Sequence, residues 1–118
     1  MQIDRPITSS LKVSSEISPA EPLWKRVPLR NAEGKNLSDF MMIIPRLKHL
    51  SVERVKSIIN EIDQVLRYYE KHVVFADLNL NLNVLWVSVQ PVAGMCLEVA
   101  AAIHHRVPEA KLVASKVN

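Results

Sequence analysis

Phe40-Met41-Met42-Ile43-Ile44 is apolar at five consecutive positions and is closed by Pro45. Such a run suits a strand covered on both faces or placed centrally in a sheet. The pattern then changes period. Ser51 stands where a helix N-cap is expected, and Glu53 follows in the first turn, where a carboxylate complements the positive helix terminus. Val52, Val55, Ile58, Ile59, Ile62, Val65, Leu66 and Tyr69 recur three and four apart, which predicts one long amphipathic helix ending near His72.

Val73-Val74-Phe75-Ala76 opens an extended segment, and from Asp77 to Asn83 leucines alternate strictly with polar residues. Period two is the signature of a half-buried strand. Val84-Leu85-Trp86-Val87-Ser88-Val89 is a second strand, so the chain must reverse between them, around Asn79 to Leu82. Pro91 halts this strand and suits the first turn of a helix, and Gly94 gives room for a close backbone approach. Val92, Cys96, Val99, Ala100, Ile103 and Val107 form the apolar face of that helix, which reaches about Arg106 before Pro108 breaks it. Lys111-Leu112-Val113-Ala114-Ser115 supplies a last short strand.

Strand, helix, strand, strand, helix, strand predicts an α+β fold, specifically a ferredoxin-like βαββαβ sandwich with the Phe40 and Val84 strands central and both helices on one face. An architecture shared by many proteins carries no function by itself. Residues 1–22 mix Ser, Thr and Pro without sustained periodicity and read as a flexible arm, or one that orders against a partner. A single domain is expected over 23–118, with its core at about 38–116. Leu23 to Arg30 followed by Asn31-Ala32-Glu33-Gly34 predicts an additional β-hairpin, in which Pro28 confines the first strand to a sheet edge.

With 118 residues, 48% of them hydrophobic, the chain can bury a core without disulfides or metals. Cys96 has no partner for an internal disulfide, which favours a reducing setting, and no apolar run has the length of a leader or a membrane span. A cytoplasmic location is therefore expected. The net charge of +3 is spread thinly: Arg54, Lys56, Arg67 and Lys71 are interleaved with Glu53, Glu61, Asp63 and Glu70, the pattern of a solvated helix face. The core strands bring only Phe40, Phe75 and Trp86 as stacking aromatics, without a glycine-aromatic run, so nucleic acid is not the expected partner.

Candidate chemistry is sparse. His104 and His105 are adjacent and would point about 100° apart on a helix, which suits no single metal ion. Cys96 lies on the apolar stripe, where burial keeps a thiol protonated and inert. Asp77, Glu98, His49 and His72 are the available acids and bases, but none stands in a motif that gives it a role. No catalytic residue, cofactor or metal is assigned. What stands out is a surplus of apolar strand positions, too many for one face of a sheet. The expected partner-binding residues are Trp24, Met41, Ile43, Leu85 and Val87, and the expected function is a small non-catalytic regulatory, binding or assembly module acting through a sheet-mediated protein interface. A homodimer would cover the second face, unless the N-terminal hairpin folds across it. The alternative is a small enzyme or metabolite-binding protein with a pocket between sheet and helices or at a dimer interface.

Overall fold

The computed structural model describes residues 11–14, 34 and 36–116. They form a mixed α+β fold of one five-stranded sheet and two helices. The strands are β1 (Leu11–Ser14), β2 (Ser38–Ile43), β3 (Val73–Asn79), β4 (Val84–Val89) and β5 (Lys111–Lys116). The helices are α1 (Val52–Tyr68) and α2 (Met95–Arg106), and a short 3-10 turn, Leu47–His49, precedes α1. Across the sheet the order is β1-β3-β4-β2-β5, with β1 parallel to β3 and every other pair antiparallel.

α1 begins where its sequence dictates. The Ser51 side chain accepts a hydrogen bond from the Arg54 backbone N–H at 3.1 Å, satisfying one of the donors a helix start leaves free. Ile58, Ile62, Val65 and Leu66 of its stripe are buried, while Val52, at the first turn, stands exposed. They pack with Val99 and Ile103 of α2 and with Phe40, Met42, Leu78, Leu85, Val87 and Val89 from the sheet in one continuous core. Both helices therefore cover the same face. Two ion pairs fasten them: Arg106 Nη1 donates to Glu61 Oε1 at 2.5 Å, and Arg54 grips Glu109, in the α2–β5 connection, through Nη2 at 2.6 and 2.7 Å.

The five-residue apolar run resolves into two faces. Phe40 and Met42, with Ile44 just past the strand end, turn toward the helices, whereas Met41 and Ile43 turn away. Strand β2 has neighbours on both sides, β4 and β5, and β4 lies between β3 and β2. Strands β3 and β4 are joined by residues 80–83, where Asn79 Oδ1 accepts from the backbone N–H groups of Asn81 and Leu82 at 3.0 and 2.9 Å. The asparagine side chain mimics a backbone turn, and Asn83 takes up the left-handed conformation at φ 61°.

Two expectations change. Leu11–Ser14, within the stretch read as a flexible arm, pairs with β3 as an edge strand. Four residues are too few to display a period, and their place is set by pairing with Ala76 to Asn79. Gly94 precedes α2 at φ 79°, but a Cβ there would meet nothing within 4 Å. The position favours glycine for its backbone angle, not for a close approach. The hairpin expected over Leu23 to Gly34, and Trp24 with it, lies outside the described residues except for Gly34.

Candidate functional site: the sheet and its β5 edge

Strand register sorts the candidate partner-binding residues. Leu85 stands between Leu78 and Met42, and Val87 between Ala76 and Phe40, all on the helix-covered face. Both are fully buried, so neither can touch a partner. They entered the expectation because Val84 to Val89 is apolar almost throughout, which conceals the alternation of faces. Met41 and Ile43 do lie on the opposite face. There one row across the sheet reads Lys12, Asp77, Trp86, Met41, Ala114, and the next reads Ser14, Asn79, Val84, Ile43, Lys111. Trp24 lies outside the described residues.

This second face is apolar in its middle and uneven in exposure. Ile43 is 37% exposed, but Asp77 is 6% and Ser88 3% exposed, and the Trp86 indole N–H is buried without a hydrogen-bond partner. An indole N–H usually finds an acceptor when it leaves water.

The accessible apolar surface moves toward β5, which pairs with β2 on one side and, among the described residues, with no strand on the other. Val113 is 59% exposed, Leu112, opposite Met42 and so on the helix side, is 41% exposed, and Lys111 stands opposite Ile43. The register with β2 shifts between Met41 and Met42, so that Met41 faces Ala114, Met42 faces Leu112, and Val113 is left over as a bulge. A bulge and flanking lysines are common ways of restraining an exposed edge from indiscriminate pairing.

Two of the remaining chemical candidates, Glu98 and His104, have partners of their own. Glu98 accepts a hydrogen bond from the Tyr69 hydroxyl at 3.0 Å; burial, then this bond, holds the Tyr69 phenol above its ordinary pKa. His104 Nδ1 lies 2.7 Å from the Ala110 carbonyl, which fixes that nitrogen as the donor and ties the end of α2 to the start of β5. Cys96 is buried and forms no disulfide. Among the described residues no three His, Cys, Asp or Glu side chains are grouped so as to hold a metal ion.

A groove of about 420 Å³ lies between α1 and α2, lined by Gln64, Val65, Tyr68, Tyr69, Ala102, His105 and Arg106. It is formed by the two helices, and no sheet residue lines it. Its polar groups are largely turned to one another, since Arg106 donates to both Glu61 and Gln64. No helix among the described residues is long and apolar enough to cross a membrane. No protein-family model, curated protein or solved structure matches this chain.

Proposed function

We propose that this protein is a non-catalytic binding or assembly module that takes up an extended strand of a partner protein along β5. The observation that carries the reading is the edge itself: among the described residues β5 is paired on one side alone, and its Leu112, opposite Met42, and its bulged Val113 both expose their side chains. Added strands gain affinity from main-chain hydrogen bonds and specificity from alternate side chains. The core arrangement suits such a role. Its order β5-β2-β4-β3, all antiparallel with two helices on one face, supports a ferredoxin-like core extended by β1 at the far edge. Among the described residues β1 and β5 are both edges; β5 is the longer, six residues against four, and exposes two large apolar side chains, Leu112 and Val113, where β1 exposes Val13.

Charge selects among partners. Full antiparallel pairing of β5 with a second copy would set Lys111 against Lys116 twice, and like charges directly opposite are destabilising. A strand with apolar residues at its centre and a carboxylate at each end meets the same edge favourably. The edge therefore favours a different, acidic-ended chain over a homodimer.

Fluorescence anisotropy tests this with labelled eight-residue peptides of alternating valine and threonine, ending in either glutamate or lysine. The acidic peptide is expected to bind with Kd of about 0.1–1 mM, at least about fivefold tighter than the basic one, with the difference shrinking as salt is raised. Val113→Asp should weaken it by a further order of magnitude, about 1.4 kcal/mol. Equal binding of the two peptides, or none at millimolar concentration, contradicts the proposal. Sedimentation that shows a tight dimer blocked by Val113→Asp would assign the edge to a second copy instead.

A further inference from the structure

On the reading that β5 takes up a strand, we infer that this strand is amphipathic and turns a bulky aliphatic face toward α2, where Leu97, Ala101 and Leu112 form an exposed apolar ledge over the edge. α2 divides its circumference three ways. Val99 and Ile103 face the core, while Glu98, Ala102 and His105 face α1, through the hydrogen bond from Tyr69 and the lining of the groove. Leu97, Ala101 and His104 hold the flank that remains, and all three are exposed. His104 shows where that flank points, since its Nδ1 lies 2.7 Å from the carbonyl of Ala110, immediately before β5. Residues seven apart on a helix differ by only about 20° in direction, so Leu97 leans to the same side as His104, about 10 Å nearer the helix start. β5 doubles back along α2 after residues 107–110. The same distance covers about three strand residues, which sets Leu97 abreast of Val113.

The open edge selects what fills this ledge. An added strand lies about 4.8 Å beyond β5, and every second side chain of it rises on the helix side, beside Leu112 and beneath Leu97. Valine, isoleucine or leucine at those positions buries apolar surface against Leu97, which is 59% exposed. Among the described residues the other side of the sheet carries no helix, so threonine or another polar residue suits the alternate positions. A helix docked on the ledge would leave the outer backbone groups of β5 unpaired. A second copy in full antiparallel pairing meets the conflict of Lys111 with Lys116. An extended partner chain with alternate aliphatic residues uses the edge and the ledge together.

Anisotropy reads the ledge apart from the edge, using the acidic-ended valine–threonine peptide and one with the same ends but an all-threonine centre. The parent chain is expected to bind the first at least about fivefold tighter than the second. Leu97→Ser should weaken the valine–threonine peptide at least about fivefold, and Leu97→Met should keep its affinity within about twofold. Tyr68→Ser, an exposed change in the groove between the helices, should also leave it within about twofold, with circular dichroism showing every variant folded. Binding that is indifferent to Leu97→Ser but weakened by Val113→Asp overturns the ledge and leaves strand addition standing. Equal affinity of the parent chain for the two peptides does the same. No binding of either peptide removes strand addition itself, and this inference with it. A dimer that Leu97→Ser dissociates in sedimentation assigns the ledge to a second copy and overturns the inference.

Discussion

Leu85→Ala and Ile43→Ser give the sharpest test of how the strand faces are divided. Leu85 is fully buried between Leu78 and Met42 beneath the helices. Truncation removes three carbons, and at about 0.8 kcal/mol each the lost transfer free energy is about 2.4 kcal/mol. The cavity left in a core that relaxes only partly raises this to about 3–4 kcal/mol. Ile43 is 37% exposed at the rim of the opposite face, and its change to serine should cost about 1 kcal/mol or less. Urea unfolding at a concentration where the protein is monomeric reads both. With a slope of about 1.5 kcal/mol per molar, the Leu85 variant should lose about 2 M in midpoint and the Ile43 variant well under 1 M. Strand addition at β5 should respond in the opposite sense, with affinity unchanged per folded molecule for Leu85→Ala and reduced for Ile43→Ser. A Leu85→Ala cost below about 1 kcal/mol, or an Ile43→Ser cost equal to it, would refute the assignment of faces.

Two further outcomes follow from local geometry. The hydrogen bond from Arg54, followed by one from its own backbone, holds the Glu109 carboxyl below its usual pKa; the pair thus contributes above the unfolded value and is lost as pH falls through the folded one. Because both side chains are more than a third exposed, Glu109→Gln should cost about 0.5 kcal/mol at pH 7 in urea unfolding, and the difference should vanish by about pH 3. Gly94→Ala should cost about 1 kcal/mol of stability by the same assay; φ 79° disfavours any Cβ while the site itself has room, so Gly94→Asn should recover part of the loss.

How much was legible in the sequence follows from the length scale of each signal. α1 announces itself by eight apolar residues on a helical period and a serine cap, and those local features suffice to place it within a residue of its observed start. The β3–β4 turn is legible because Asn79 supplies its own acceptor for the reversal. Faces are harder to read. In Phe40 to Ile44 and Val84 to Val89 nearly every position is apolar, and only the cross-strand register, Met42 beside Leu85 and Met41 beside Trp86, decides which side chains meet the helices. That register is a non-local property, and two of the five expected partner contacts, Leu85 and Val87, proved to be core for that reason. β1 escaped notice for the same cause, since four residues gain their place from β3. β5 was legible as a strand outside the central pair, but that β3 and not β5 takes a further neighbour, β1, was not, because edge and centre differ in their neighbours and not in their sequence.

Backbone amide mapping tests the strand-addition account most directly. Titration of the isotopically labelled protein with the acidic-ended peptide is expected to shift amides of residues 111–116 first, with smaller changes on the adjoining residues 38–43 and none on 11–14. Slowed hydrogen exchange should accompany these shifts at β5. Changes centred on the row from Lys12 through Asp77 and Trp86, on the groove between the helices, or nowhere along β5 would contradict it.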